Sequence, residues 1–304
     1  MKKCVVIYNP VSGKEKNKEC IEDFYIILKK YGYDLELIYT KKSGDAHKII
    51  KSLKHPDLVI CAGGDGTLNE CVAGNLERED RLLLATLPLG TTNDVGTMYG
   101  YTKDYVKDLE LILTGVRKKV DIGLINNKPF VYATAFGSIT NVPYITSNKL
   151  KRKIGHLAYI LQGIKEGLKK IDRFDLKYKV NGKTYQGKYS FIFILNTNTL
   201  AKKKNICKNV KLDDRLIEVG FIKVYKKIDL LKVLFYAMTS QIEKIPSIEF
   251  YRTSNVEITF DKPLEKSWCV DGEELKLSTS KIKISINSDS SMQVPNVNIE
   301  KLFK

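Results

Sequence analysis

One short stretch carries most of the chemistry visible in this sequence: Gly63-Gly64-Asp65-Gly66-Thr67-Leu68-Asn69-Glu70. It follows Asp57-Leu58-Val59-Ile60-Cys61-Ala62, an apolar run that reads as a buried strand, and helix-forming residues follow it. A strand, a glycine turn and a helix start gather main-chain N–H groups and the positive end of a helix at one point, an arrangement that binds phosphate. A carboxylate inside such a turn, here Asp65, stands beside a phosphate only with a cation between them. The run therefore predicts a nucleotide phosphate with Mg2+ nearby. For Gly-Gly alone the plainer reading is a turn that closes a strand against a helix. Two companion loops argue against that reading: Asn9-Pro10-Val11-Ser12-Gly13 and Pro88-Leu89-Gly90-Thr91-Thr92-Asn93-Asp94. Both follow apolar runs, and loops at the C-terminal ends of parallel strands line the ligand crevice of an open α/β sheet. Thr40-Lys41-Lys42-Ser43-Gly44-Asp45 is a fourth candidate.

Loops of this kind need a parallel sheet behind them, and the first ~120 residues have its alternation. Strands read at 4–8, 34–39, 58–62 and 82–87, with helices at about 14–31, 45–53, 67–75 and 105–114. Near-continuous apolar strands between helices indicate a parallel sheet covered on both faces. After Val120 the pattern becomes mostly strand: 121–125, 130–135, 175–180, 184–195, 217–224, 249–260, 267–270 and 281–286, with helices only at 154–171 and 228–242. Asn181-Gly182 between two of these runs is a strong hairpin signal. The expected fold is α/β, with an N-terminal doubly wound parallel-sheet nucleotide domain at 1–125 and a mainly antiparallel β-sandwich domain at 126–289. The tail, 290–304, is a candidate to return to the first domain.

Bulk properties narrow the function classes. The 304 residues are 43 % hydrophobic, enough for packed cores, and no apolar run approaches the ~18 residues of a membrane span. The first ten residues have too short an apolar core for a signal peptide and read as the first strand. The six cysteines show no CxxC spacing and there are three histidines, which disfavours zinc. Their apolar settings suggest reduced core thiols and a cytoplasmic protein. The net charge of +16 comes mostly from lysine, with seven arginines. Lysine supplies point charge without the planar fork that reads bases, so an anionic membrane face is favoured over nucleic acid. A compositional lysine habit of the source would look the same. A helix at 149–170 has an apolar stripe flanked by lysines, and Lys202-Lys203-Lys204 is a second basic cluster. Each is a membrane contact or a solvated face.

No GxxxxGK[ST], no strand-bound GxGxxG and no protein-kinase HRD or DFG is present. Gly63-Gly64-Asp65-Gly66-Thr67, the early Asn-Pro-x-Ser-Gly at 9–13 and Gly-Thr-x-Asn-Asp at 90–94 instead resemble the bacterial diacylglycerol kinase family. That family is related to sphingosine and ceramide kinases and, more distantly, to NAD kinase. Lys211-Leu212-Asp213-Asp214 and Asp271-Gly272-Glu273 extend the resemblance over nearly the whole chain. It implies ATP contacts at Asn9, Pro10, Val11, Ser12, Gly13, Thr40, Gly64, Asp65, Gly66, Thr67, Leu68, Asn69, Glu70 and Thr91. It implies that Asp65, Asp94 and Asp121 organise Mg2+ and water, and that Asp65 and Glu273 are catalytic, Glu273 as general base. A second, structural Mg2+ is implied at Asp214 with the carbonyls of Lys211 and Leu216. This chain has Arg215 where the family commonly has glycine.

Phosphoryl transfer is mostly positioning and charge neutralisation, so the chemistry is coherent. The reading that results is an ATP- and Mg2+-dependent lipid kinase, cytoplasmic and reversibly bound to the inner membrane face. The favoured acceptor is diacylglycerol, yielding phosphatidic acid. A sphingoid base, phosphatidylglycerol or soluble NAD remains the alternative acceptor, and a non-catalytic nucleotide binder the alternative class. A homodimer is possible on this sequence.

Overall fold

The computed structural model describes residues 1–12, 17–102, 104–137, 171–200, 203–204, 206–207, 209–297 and 299–304. They form two compact units: Met1–Ile122 with Lys211–Asp214 and Asn287–Lys304, and Gly123–Val210 with Arg215–Ile286. The first unit is assembled from three stretches of chain.

In the first unit the order is β1 (Lys2–Tyr8), α1 (Asn17–Lys30), β2 (Tyr33–Tyr39), α2 (Asp45–Ser52), β3 (Leu58–Gly63), α3 (Asp65–Leu76), β4 (Leu83–Pro88), α4 (Asp94–Tyr99), α5 (Tyr105–Leu113) and the first part of β5 (Val116–Ile125), whose last three residues fall in the second unit. The strands line up as β2-β1-β3-β4, all parallel. Every residue of β3 is buried, as a strand covered on both faces must be, whereas the edge strand β2 alternates. The ladder sets Tyr8 beside both Tyr39 and Ala62, and Gly63 beside Pro88. The residues that follow, Asn9, Thr40, Gly64 and Leu89, therefore leave the sheet at one edge. On the far side of β4, Ser291 and Met292 of the last strand pair in parallel with Leu83 and Leu84. The short helix α4 has no counterpart among the expected elements. A non-glycine residue in the left-handed region, Asn93 at φ 53, starts it.

The second unit contains β6 (Lys128–Phe130), β7 (Ala133–Gly137), β8 (Phe174–Val180), β9 (Lys183–Tyr189), β10 (Phe191–Leu195), β11 (Thr199–Leu200), β12 (Lys203–Lys204), β13 (Ile217–Ile222), α6 (Lys227–Met238), β14 (Ile248–Thr253), β15 (Asn255–Phe260), β16 (Trp268–Val270), β17 (Glu273–Leu275) and the first part of β18 (Lys281–Val294). The rest of β18, and α7 (Ile299–Leu302), belong to the first unit. One antiparallel sheet runs β14-β13-β10-β7-β16-β17, and β15, β8 and β9 extend the first part of β18 into another. Their inner faces share a core in which Phe136 lies 5.1 Å from Phe260 and 5.2 Å from Trp268, ring centre to ring centre.

Two expected strands are each divided. The 184–195 run breaks at Ser190 and the 249–260 run at Ser254, and in both cases the halves pair in different sheets. Crossing between sheets is how a sandwich makes its corners. The break needs one residue and no turn motif, so apolar alternation runs through it. At the second corner the Thr253 hydroxyl donates to the Asn255 carbonyl and accepts from the Asn255 amide, replacing lost ladder bonds. By contrast, the two-residue hairpins are written plainly. Asn126-Asn127, Asn181-Gly182 and Asp271-Gly272 all have positive φ at both positions, the geometry of type I′ turns. The expected helix at 154–171 falls almost entirely outside the described residues. The one expected at 228–242 ends at Met238, before a separate 3-10 turn at Ile242–Lys244.

Candidate functional site

The first-unit site is built from main chain held in place by side chains. At the end of β1 the Asn9 amide donates to the Ala62 carbonyl at 2.9 Å, and the Asn9 carbonyl accepts from the Ser12 amide and hydroxyl at 3.2 and 2.7 Å. The Asn9 side chain accepts from the Val11 amide and donates to the Thr67 hydroxyl, both at 3.1 Å. The first loop is thus tied to the first turn of α3. Gly63 is required there, because a Cβ would lie 2.5 Å from the Thr67 hydroxyl oxygen. Pro10 and Ser12 are half-buried and Val11 is exposed, while Gly13 lies outside the described residues.

The second and third loops touch backbone to backbone. A Cβ on Gly90 would sit 2.6 Å from the Gly64 Cα, and the Leu89 amide donates to the Gly63 carbonyl at 2.8 Å. Asn93 donates to the Pro88 and Gly90 carbonyls, shaping the third loop from within. Asp65 links the loops: its carboxylate accepts from the amides of Asp94 at 2.9 Å and Val95 at 3.2 Å. Gly66 differs from its neighbours, since a Cβ there would meet nothing within 4 Å. Neither packing nor a positive φ demands glycine in this first helical turn, where it costs about 1 kcal/mol against alanine. Space beside the helix N-terminus is what the glycine preserves, and a helix leaves its first amides without partners inside the helix.

Other expected contacts are placed as follows. Leu68 is buried, whereas Asn69 is half-buried and Thr91 exposed. Thr40 is buried, and its amide donates to the Tyr8 carbonyl. Glu70 turns toward the neighbouring helix, accepting from the Ser43 hydroxyl at 3.1 Å and the amides of Gly44 and Ala46 at 2.8 and 3.2 Å. In that same loop the Lys41 amide, with that of Lys42, holds the Asp45 carboxyl below its ordinary range. Asp121 is buried in β5, where it accepts from the Ser288 hydroxyl at 2.6 Å. The Asp121 amide donates to the Leu212 carbonyl, and the Leu212 amide to that of Leu302. Lys211 and Asp214 thus lie on a short stretch stitched into the first unit, and Asp213 accepts from the Lys304 amide at 2.8 Å. Leu216 is assigned to the second unit, and Arg215 adopts φ 63, the conformation that glycine takes without strain.

Among the described residues no three His, Cys, Asp or Glu side chains gather into a metal cage. Magnesium beside a nucleotide needs none: it keeps waters and takes one or two carboxylates plus phosphate oxygens. Asp65 and Asp94, at the starts of two adjoining helices, have the chemistry for that.

In the second unit Asp271 does what its sequence context does not announce. It is buried, and its carboxylate accepts from the Val131, Tyr132 and Ala133 amides at 2.6, 3.0 and 3.0 Å. This anchors the Asp271-Gly272 hairpin to the start of β7. Glu273, the first residue beyond the turn, is exposed and pairs with Val270 in the ladder. Asp-Gly was readable as a turn signal, but the three amides that hold it come from about 140 residues earlier. Glu70, Asn93 and Ser288 were similarly invisible as positioning groups.

Cys4, Cys61, Cys71 and Cys207 are buried free thiols, and burial pushes those of Cys4, Cys71 and Cys207 upward.

Known proteins share this arrangement. Residues 3–125 match the diacylglycerol kinase catalytic domain, and residues 138–286 the YegS C-terminal NAD kinase beta sandwich-like domain. Diacylglycerol kinases of Staphylococcus aureus strains MRSA252 and bovine RF122 / ET3-1 are each 34 % identical over 274 residues, 90 % of this chain and 86 % of theirs. The crystal structure of a diacylglycerol kinase from Bacillus anthracis str. Sterne superposes with a TM-score of 0.80 over 97 % of this chain and 98 % of its own; at 23 % identity it speaks for the fold alone. With its catalytic-domain loops matched and a third of its residues shared along nine-tenths of its length, this chain belongs to the diacylglycerol kinase family.

Proposed function

We propose that the protein is an ATP-dependent lipid kinase that phosphorylates the free hydroxyl of diacylglycerol to give phosphatidic acid. The observation that carries this reading is the glycine cradle, where Gly64 and Gly90 meet backbone to backbone and Gly66 keeps open space at the start of α3. ATP supplies the γ-phosphoryl group, and Mg2+, when bound, would neutralise charge on its phosphates. The amides at the start of α3 and the Asn9 loop hold the phosphates. Asp65 and Asp94 would hold the metal, and Asp121 would order water near it. Glu273 takes the proton from the attacking hydroxyl. The new oxygen–phosphorus bond forms as the bond to the leaving oxygen of ADP breaks. Family membership supports diacylglycerol as acceptor, and the lysine-rich charge suits a substrate that stays in an anionic membrane at the cytoplasmic face.

The test is incubation with labelled ATP and, separately, diacylglycerol, a sphingoid base, phosphatidylglycerol and NAD. Labelled phosphatidic acid is the expected main product, and phosphorylation of NAD instead would sink the lipid-kinase reading. Glu273→Gln should lower kcat by about 10²–10⁴-fold with ATP affinity unchanged. Normal turnover in that variant removes Glu273 from the chemistry.

A further inference from the structure

Helix α6 faces two environments. Leu230 and Val233 are buried and join a core cluster with Ile242 and Ile245. On its other side Ile228, Leu231 and Phe235 are 52, 45 and 60 % exposed, and Tyr225, just before the helix, is 56 % exposed. At the helical rotation of about 100° per residue, these three helix residues fall within about 60° of the circumference, and Lys227 and Lys232 lie about 40° outside its two margins. Lys226 is also exposed, and the Arg173 guanidinium lies 5.7 Å above the Tyr225 ring. The helix has one acid, Asp229, whose carboxylate accepts from the Tyr225 and Lys226 amides and so faces back to the helix start. The outward face is therefore apolar along its middle, cationic along its margins and free of acidic residues.

Scattered exposed apolar residues need no explanation, but an ordered stripe edged with lysine does. A soluble face would not gain from placing leucine, isoleucine and phenylalanine in water at helical spacing. A bilayer interface accounts for both features, since apolar side chains enter the headgroup–acyl boundary while lysine stems extend outward and leave their ammonium groups among the phosphates. We propose that the Ile228–Leu231–Phe235 stripe is the surface by which the protein seats on an anionic bilayer. This deepens the membrane part of the lipid-kinase reading and rests on it, because diacylglycerol must be met within the bilayer.

The test uses the full chain and sedimented vesicles of phosphatidylcholine with phosphatidylglycerol, without diacylglycerol, so that binding is read apart from turnover. Leu231→Ser with Phe235→Ser should weaken binding about 30-fold or more, with thermal unfolding and ATP affinity unchanged. Lys227→Gln with Lys232→Gln should weaken it several-fold and remove much of its salt dependence. Wild-type binding in the serine variant overturns the proposal. So does light scattering in which that variant turns a dimer into a monomer while vesicle binding persists, which makes the stripe a self-association face. A protein that binds vesicles through the stripe but phosphorylates no lipid would keep the docking surface and discard the functional reading.

Discussion

Asp65 and Asp271 both give their carboxylates to main-chain amides, yet for different ends. Asp65 accepts from two amides at the start of the next helix, so one glycine loop fixes another and the product is a shaped piece of backbone. Asp271 accepts from three amides next to a remote strand, and the product is a hairpin anchored at its turn, with Glu273 and Glu274 exposed just beyond it. A phosphate cradle is made of N–H groups and helix ends, so side chains there serve best by holding main chain. With Glu273 as the proposed base, the structure around it serves by fixing the backbone that carries that one carboxylate.

The largest effect is expected at Asp271. Replacing it with alanine strands three amides and should cost about 3–5 kcal/mol, read by urea unfolding. A loss under 1 kcal/mol would mean that the hairpin holds itself. Gly90→Ala should cost about 1–3 kcal/mol, because its methyl meets the Gly64 backbone, which cannot rotate away. Nucleotide affinity should fall with it in titration calorimetry. Gly66→Ala sharpens the contrast, for it should stabilise the fold by up to about 1 kcal/mol and still weaken nucleotide binding. If Gly66→Ala bound ATP normally, phosphate would not occupy that space. The smallest effect is a pH dependence in the second unit. Burial pushes Glu249 upward, but hydrogen bonds from Lys223, Tyr178 and Tyr189 outweigh it, so the carboxyl titrates below its ordinary 4.5. A depressed folded-state value contributes stability in full above 4.5 and loses it as the pH falls through the folded value. The melting temperature should thus drop on acidification below about pH 4.5, and drop less in Glu249→Gln.

Local pattern was enough for much of this molecule. Continuous apolar runs named the parallel strands, since a strand covered on both faces has no polar face to show. Asn181-Gly182 named a hairpin, since few residues accept two successive positive φ values. The glycines of the second and third loops announced close main-chain approach, because such approach excludes side chains. Other features depend on partners far along the chain. The corners at Ser190 and Ser254 follow from which sheet each half-strand joins, and alternation is the same in either sheet. Asp121 takes its hydroxyl partner from Ser288, and Asp271 takes its amides from Val131 to Ala133. A sequence determines which backbone shapes are permitted locally and where burial is needed. Which carboxylate is spent on the fold, and which stays exposed, is decided only when distant segments close around it, because a hydrogen bond depends on distance in space rather than on separation along the chain.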